Sequence, residues 1–239
     1  MRPYFSEDGI TIYCGDCREI LHDLGPVDAV ITDPVWPNSS PALIGHERPY
    51  ELFAEMVAVL PAAKRLVVHL GGDSDPRFLQ SVPPRFPFLQ TAWLRYACPS
   101  RKGRMLYGGD MAYIFGEYPK SRPGRSVMSS EYCSTKADAH RVRVTQHKEY
   151  GRVPSSRFHP CPRRLQHVRW LCSRWSDGLI LDPFSGSGTT LLAAKSAGFQ
   201  AIGIEIEERW CEQAAKRLSQ NVLRFEVEEL EAQSCEGTL

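Results

Sequence analysis

The segment TDPVWPN at residues 32–38 places an acid, two prolines and a tryptophan in one short bend. Apolar residues lead directly into Asp33, as in a buried strand. Because proline has no backbone N–H to give to a sheet, Pro34 should end that strand. The pattern predicts a carboxylate beside an exposed Trp36 at a strand end. Such a place is suited to chemistry, although Asp-Pro is also common in ordinary turns.

The second candidate segment is DPFSGSGTT at residues 182–190, between a strand pattern and a helix pattern. Gly186 and Gly188 would let the backbone turn sharply and approach a ligand. Glu205 follows Asp182 by 23 residues, at the end of the next predicted strand. There a carboxylate can accept hydrogen bonds from both ribose hydroxyls of a nucleoside cofactor. The alternative for Glu205 is an acid stabilised by a helix N-terminus.

The glycine segment lacks both the full GxGxxG pattern and the Gly-Lys-Ser/Thr of a phosphate loop. This favours a nucleoside ligand without a pyrophosphate. S-adenosylmethionine fits that description, because it carries adenine, ribose and an amino acid but no phosphate.

The charge of the chain is unevenly distributed. Residues 101–174 contain 16 Lys or Arg and five Asp or Glu, a net charge of +11, against a net +1 for all 239 residues. A cationic block on an acidic body favours a polyanionic partner, most simply nucleic acid. A solvated loop is the alternative.

Strand and helix patterns alternate in two parts of the chain, which predicts an α/β fold with a mostly parallel sheet and helices on both faces. Two further strand patterns, 88–96 and 111–115, are joined by the polar stretch 97–110 and should form an antiparallel edge pair. The remaining predicted strands are 10–16, 27–34, 65–70, 179–182 and 200–206; the predicted helices are 17–24, 49–63, 163–175, 189–197 and 208–218.

The change in composition predicts three regions. Residues 1–116 and 158–225 should form one catalytic domain, 117–157 a basic inserted region without regular structure, and 226–239 an acidic tail. No apolar run is long enough to span a membrane, and the first residues lack a secretory signal, so a cytoplasmic location is expected. The eight cysteines should then be reduced thiols, and Cys14 and Cys17 lack the second pair that a zinc site needs.

Together these segments resemble the S-adenosylmethionine-dependent DNA amino-methyltransferases, which modify adenine N6 or cytosine N4. TDPVWPN is similar to their catalytic tetrapeptide, usually Asp-Pro-Pro and an aromatic residue, and DPFSGSGTT to their cofactor loop. YCGDCREIL and HPCPRRLQHVRWL resemble two further segments of the family. The catalytic motif precedes the cofactor loop, as in the permuted, beta-type branch. The resemblance implies a Rossmann-like methyltransferase sheet and places target recognition in residues 117–157.

The resemblance also implies how the bend would work. Hydrogen bonds from the target amine to the Asp33 carboxylate and the Pro34 carbonyl would position the nitrogen for attack on the cofactor methyl. Since the amine is inaccessible inside a duplex, the base should be flipped out of double-stranded DNA and stacked on Trp36. No metal is expected.

The same resemblance assigns cofactor contacts. Asp16 would contact the adenine, with a helix N-cap as the alternative, and Glu205 the ribose. Asp182, Phe184, Gly186 and Gly188 would hold the methionine end, with core packing as the alternative for Phe184. Two positions depart from the family pattern: Val35 replaces the usual second proline, and Arg163-Arg164 stands where Lys-Pro is common.

Adenine N6 is the preferred target, because the tetrapeptide begins with Asp. Cytosine N4 is the alternative; a catalytically silent nucleic-acid-binding module, or a methyltransferase acting on RNA, a small amine or a protein, belongs to other classes. A homodimer and a cognate restriction nuclease are both compatible with the sequence.

Overall fold

The computed structural model describes residues 2–102, 104–123, 125, 127–134 and 163–219. Within these residues nine strands form a single sheet. The strands are β1 Phe5–Glu7, β2 Ile10–Cys14, β3 Val27–Thr32, β4 Ala63–Gly71, β5 Phe88–Lys102, β6 Met105–Gly116, β7 Glu131–Cys133, β8 Ile180–Asp182 and β9 Ala201–Glu205. Their order across the sheet is β1-β2-β9-β8-β3-β4-β6-β5-β7.

Five helices accompany the sheet in the described part of the chain. They are α1 Cys17–Ile20, α2 Pro49–Ala58, α3 Leu165–Trp175, α4 Thr189–Ser196 and α5 Glu208–Ser219, with short 3-10 helices at Leu21–Asp23 and Pro76–Ser81.

The centre of the sheet is parallel, and antiparallel pairs lie on both sides of it: β1 with β2 on one side, and β6 with β4 and β5 on the other, where the last strand, β7, is again parallel to β5. β2, β9, β8, β3 and β4 run in one direction, whereas β6 pairs antiparallel with both β4 and β5. The predicted mixed α/β sheet is therefore confirmed. The carboxyl ends of the parallel strands meet at one edge of the sheet, here called the carboxyl edge, where open α/β sheets bind ligands.

Helices cover both faces of the sheet. On one face α3, α4 and α5 enclose a core that includes Trp175, Leu171 and Leu191. On the other face α1 and α2 enclose Phe53, Met56 and their neighbours.

Several element boundaries differ from the predictions. The stretch 97–110 was predicted to be a polar connection, but most of it belongs to β5 and β6, because backbone pairing continues to Lys102 and Met105. α2 ends at Ala58 rather than near residue 63, since Pro61 disfavours helical geometry in the residue before it. β7 lies inside the region predicted to lack regular structure and pairs with β5. The short β1 was not predicted.

A buried ion network lies at the opposite, amino edge of the sheet. Arg65 on β4 donates to Asp28 Oδ2 at 2.6 Å, to Asp177 Oδ2 at 2.8 Å and to the Glu117 carbonyl at 2.9 Å. Arg125 also pairs with Asp177 and donates to the Ser176 carbonyl at 2.8 Å. We call Asp28, Arg65, Arg125 and Asp177 the amino-edge network. It ties the beginning of the predicted insert to the sheet.

The predicted tail 226–239, and residues 135–157 of the predicted insert, lie outside the described residues. No helix in the described ranges is long and apolar enough to cross a membrane.

Candidate functional site

Asp33 lies at the carboxyl edge, one residue beyond the end of β3. The parallel register pairs Thr32 with Val68 on β4, so Asp33 lies beside His69. Both side chains line the same cavity. Pro34 is buried and ends the strand as predicted.

The Asp33 carboxylate is bound by an arginine 130 residues later in the chain. Arg163 donates from Nε to Asp33 Oδ2 and from Nη2 to Asp33 Oδ1, both at 2.7 Å. Such a two-point pair is a strong, directional interaction. Sequence reasoning noted Arg163 only as a departure from the family pattern and did not connect it with Asp33.

A second carboxylate shares this arginine. Arg163 Nη1 lies 3.3 Å from Asp110 Oδ1, and His69 Nε2 lies 3.3 Å from Asp110 Oδ2. Burial alone would raise the pKa of Asp110, but His69 and Arg163 hold it well below its usual range. Burial alone would lower the pKa of Arg163, but Asp33 and Asp110 raise it above its usual value. We call Asp33, His69, Asp110 and Arg163 the carboxyl-edge network.

Trp36 is not the exposed ring that the sequence predicted, since it is only 7% exposed. It packs into the core on the α1–α2 face, and the Arg163 guanidinium carbon lies 4.5 Å from its ring centroid. The ring is covered because a cation over an indole face is favourable, and Arg163 occupies that face.

The glycine loop, residues 183–188, joins β8 to α4 at the same edge. Gly186 and Gly188 have φ values of 49° and 79°, in the left-handed region that glycine adopts most easily. A Cβ atom on Gly188 would lie 2.7 Å from the Ala214 Cβ on α5, so this glycine also allows close helix packing.

Asp182 ends β8 and is fully buried. Its Oδ1 accepts hydrogen bonds from Thr32 Oγ1 at 2.7 Å and from the Phe184 backbone at 3.1 Å. Burial raises the pKa of Asp182 to about 6.

Glu205 ends β9 and faces the glycine loop, as predicted from its spacing. Its two oxygens accept from the backbone N–H groups of Gly186 at 2.8 Å and Glu207 at 2.9 Å. The second contact lies just before α5, so the helix-start reading of this acid also describes part of its environment. Burial raises the pKa of Glu205 to about 7.

Two neighbouring cavities open at the carboxyl edge, and Phe184 lines both. The larger has a volume of about 160 Å³ and is bordered by Asp16, Ile44 and Ile206. Asp16 caps α1 by accepting from the Arg18 N–H at 2.9 Å, and that arginine lowers the pKa of Asp16. The N-cap reading of Asp16 is therefore confirmed, and the residue also borders this cavity.

The smaller cavity, of about 40 Å³, brings together Asp33, His69, Arg163, Asp182 and the glycine loop. Ser185 Oγ in its wall is buried without a hydrogen-bond partner among the described residues. Of the predicted residues, Asp33, Asp182, Phe184 and Gly186 line the smaller cavity, and Asp16 and Phe184 border the larger one. The linings of these two cavities do not include Pro34, Trp36, Gly188 or Glu205. The structure adds His69 and Arg163 to the smaller cavity, and Asp110 pairs with Arg163. The signal in the sequence for His69 was a polar residue within an otherwise apolar strand run, residues 66–70.

Within the described ranges no group of three His, Cys, Asp or Glu side chains could hold a metal ion. Cys14 and Cys17 are free thiols.

Solved methyltransferase structures share this architecture. The chain superposes on the crystal structure of the M1.HpyAVI–SAM complex with a TM-score of 0.63 and 23% identity, covering 88% of this chain and 99% of that one. It superposes on PvuII DNA methyltransferase (cytosine-N4-specific) with a TM-score of 0.66 and 17% identity, covering 92% and 90% of the two chains. The Rossmann-like methyltransferase fold is therefore confirmed.

Local sequence matches point in the same direction. Type II methyltransferase M.ScaI of Streptomyces caespitosus is 50% identical over 54 residues, which is 23% of this chain and 17% of the relative. Type II methyltransferase M.HinfI of Haemophilus influenzae is 42% identical over 57 residues, or 24% and 16% of the two chains. The matched segments thus span less than a fifth of either relative.

A family model described as DNA methylase matches residues 46–216, which is well over half of the chain. That range includes the carboxyl-edge residues His69, Asp110 and Arg163 together with the glycine loop. The chain belongs to the N6/N4 DNA methylase family.

Proposed function

We propose that this chain transfers a methyl group from S-adenosylmethionine to the exocyclic amino group of a base flipped out of double-stranded DNA, preferably adenine N6. One observation carries the proposal: Asp33 and the glycine loop, far apart in sequence, line the same cavity. An acid that can hold an amine therefore lies next to a loop that can hold a nucleoside cofactor. The M1.HpyAVI structure, which was solved with SAM, supports the choice of cofactor.

The cofactor side suits a cationic nucleoside. When bound, S-adenosylmethionine supplies a methyl group on a positively charged sulfonium, which the amine nitrogen attacks. Asp182 and Glu205 take their hydrogen bonds from N–H and O–H groups, and no Lys or Arg pairs with them within the described residues. Their negative charge is thus available to a cationic ligand. The unpartnered Ser185 Oγ offers one further polar contact.

On the ribose side, Glu205 would exchange its backbone contacts for the two ribose hydroxyls. Asp16, Ile44 and Ile206 border the larger cavity, which we assign to the adenine because it shares the wall residue Phe184 with the smaller one.

The target side explains the bend after β3. The amine of adenine is a weak nucleophile, because its lone pair is delocalised into the ring. The Asp33 carboxylate and the Pro34 carbonyl would accept its two N–H groups and hold the nitrogen toward the methyl. As the nitrogen becomes positively charged in the transition state, the nearby carboxylate stabilises it.

The base is proposed to be adenine because the tetrapeptide resembles those that begin with Asp. Cytosine N4 is the second candidate within the same mechanism. Target recognition is assigned to residues 117–157, which contain nine Lys or Arg and four Asp or Glu. Such a charge suits contacts with phosphates.

The test is incubation of the purified protein with S-adenosylmethionine and unmethylated genomic DNA, followed by mass spectrometry of the nucleosides. We expect N6-methyladenine, and none from Asp33→Ala, which should still bind the cofactor. N4-methylcytosine would overturn the choice of base and keep the mechanism. No product from a protein that binds the cofactor would contradict DNA methylation and favour a silent binding module or another substrate.

A further inference from the structure

The carboxyl-edge network holds a cation in the place where the target base should bind. Both oxygens of Asp33 accept hydrogen bonds from Arg163, and the same guanidinium covers the face of Trp36. In the proposed function, Asp33 binds the amine of the target base and Trp36 stacks on its ring. Arg163 is thus a planar group that donates hydrogen bonds along one edge and stacks on a tryptophan, as the amino edge of a flipped base would.

The space around Arg163 does not admit a base. The cavity volume is about 40 Å³, enough for about three water molecules at roughly 10–15 Å³ each. Trp36 is 7% exposed, so it has no free face on which a second ring could stack. A base can enter only if something leaves, and Arg163 is the group that contacts both Asp33 and Trp36.

The paired arrangement also opposes the reaction. Methyl transfer places positive charge on the amine nitrogen, and the carboxylate of Asp33 stabilises that charge only while its own charge is not neutralised. A guanidinium on both oxygens neutralises it. The Arg163 side chain is only 11% exposed, so water does little to screen its charge from the Asp33 carboxylate.

The structure offers Arg163 a second position. Its Nη1 already lies 3.3 Å from Asp110, which is 7% exposed and held by His69. The guanidinium can therefore leave Asp33 and keep an ionic partner. An arginine stranded without a carboxylate would carry a large desolvation cost.

We propose that Arg163 is a stand-in for the target base: it fills the base site of the resting protein, and an entering base displaces it from Asp33 and Trp36 onto Asp110. This inference rests on the proposed function. In this inference Asp110, positioned by His69, binds the guanidinium of Arg163 after it leaves Asp33. The binding of a correct base then includes breaking the Asp33–Arg163 pair.

The test separates binding from chemistry in Arg163→Met, which keeps most of the side-chain volume but removes the charge and the donors. Methyl transfer is followed at varied concentrations of unmethylated genomic DNA. We expect the KM for DNA to fall at least threefold and kcat to fall less than twofold. The matched control is Arg169→Met, since Arg169 is exposed on α3 and has no contact with Asp33 or Asp110 among the described hydrogen bonds. Loss of a cation there should leave KM unchanged or raise it, because phosphate attraction weakens.

A second variant, Asp110→Asn, weakens the ionic partner that the displaced Arg163 would use and leaves the Asp33–Arg163 ion pair in place. We expect KM to rise about threefold, and we expect this rise to vanish in the Arg163→Met background. A simple loss of folding would affect both backgrounds alike. If Arg163→Met does not fold, Arg163→Lys provides a weaker form of the comparison, because an ammonium keeps the charge but cannot bind both oxygens side-on. We then expect the same direction of change in KM with a smaller size.

A tenfold loss of kcat in Arg163→Met with unchanged KM would overturn the inference and show that Arg163 holds Asp33 during the reaction. Unchanged kcat and KM would overturn it as well. If the wild-type protein makes no methylated base, the proposed function fails first and the inference fails with it. If the wild-type protein makes methylated base but Arg163→Met has the same KM for DNA, the inference is overturned and the proposed function stands.

Discussion

Two buried ion networks lie at opposite edges of the same strands, and they are built differently. In the amino-edge network, Arg65 uses its three nitrogens on two carboxylates and one carbonyl, and both of its carboxylates have further partners. In the carboxyl-edge network, Arg163 is shared between Asp33 and Asp110 beside a cavity. Every side-chain nitrogen of Arg65 has a partner in the protein, whereas Arg163 lines a cavity at the carboxyl edge.

We propose that this difference separates an ion network that serves folding from one that serves methyl transfer. Burial alone does not separate them, because both arginines are largely inaccessible. The distinguishing features are an adjacent cavity and a second partner that can take over the charge. Substitutions at the two edges test whether one edge controls folding and the other controls methyl transfer.

The largest effect is expected at the amino-edge network. Arg65→Met leaves two buried carboxylates without their common partner, which should lower the free energy of unfolding by about 3–5 kcal/mol. Methyl transfer per folded molecule should remain within twofold. Urea unfolding measures the first quantity and radiolabelled methyl transfer the second. Arg77→Met is the control, because Arg77 is 84% exposed and pairs only at the surface. A loss of activity equal to that of Asp33 variants would end the distinction between the two edges.

The next effect is expected at Asp33. Asp33→Asn keeps the shape but removes the charge, and the rate of methyl transfer should fall about 10²–10³-fold, as when one transition-state partner is lost. Cofactor affinity, measured by calorimetry, should change less than twofold. Asp75→Asn is the matched control, because Asp75 also precedes a proline but is partly exposed and lies outside both cavities. A rate within threefold of wild type would contradict the role proposed for this carboxylate.

Gly188 should affect both folding and the site, since the glycine loop packs directly on α5. Gly188→Ala places a Cβ atom 2.7 Å from Ala214 at a φ of 79°. We expect a loss of about 2–3 kcal/mol from backbone strain and overpacking together. Gly198→Ala separates the two terms, because its φ is 78° but its Cβ meets no atom within 4 Å. Equal losses in the two variants would mean that the contact with α5 costs nothing.

The smallest effect concerns pH and the cofactor side. Burial raises the pKa of Glu205 to about 7 in the free protein. Since the ribose contacts need the ionised carboxylate, S-adenosylmethionine affinity should fall as pH falls through 7, by about tenfold between pH 8 and pH 6. Calorimetry at several pH values measures this slope. Glu205→Gln should bind weakly and lose the slope; an equal slope in that variant would assign it to another group.

Glu205 should make folding stability depend on pH in the opposite direction to cofactor affinity. Because the folded pKa of Glu205 lies above its unfolded value of 4.5, the protonated acid favours the folded state. This contribution is complete below the unfolded pKa and is lost as pH rises through about 7. Cofactor binding and the stability of the free protein should therefore respond in opposite directions to Glu205 ionisation.

The sequence was sufficient for those parts of the fold that depend on local pattern. The apolar runs before Asp33 and Asp182 predicted two central parallel strands, and the Gly186–Gly188 spacing predicted the loop that joins the second of them, β8, to α4. Strand ends were less accurate where partners decide them. β7, for example, contains only three residues, and its strand geometry depends on pairing with β5.

The site was predicted less completely, because its contacts join distant parts of the chain. Asp33 and Arg163 are 130 residues apart, and no spacing rule connects two residues at that distance. Trp36 was expected to be exposed, since a sequence does not show which side chain will cover it. His69 and Asp110 lie on β4 and β6, whose antiparallel register brings them together only once the sheet forms.

Strand β4 carries a member of each network, with Arg65 near its beginning and His69 near its end. Four residues of extended chain separate their Cα atoms by about 13 Å, beyond the roughly 7–10 Å within which substitutions commonly influence each other. The strand therefore holds the amino-edge network and the carboxyl-edge network at a fixed distance from each other. Under the proposed function, a substitution at Arg65 should change stability, a substitution at His69 should change methyl transfer, and the two effects should add when both are combined.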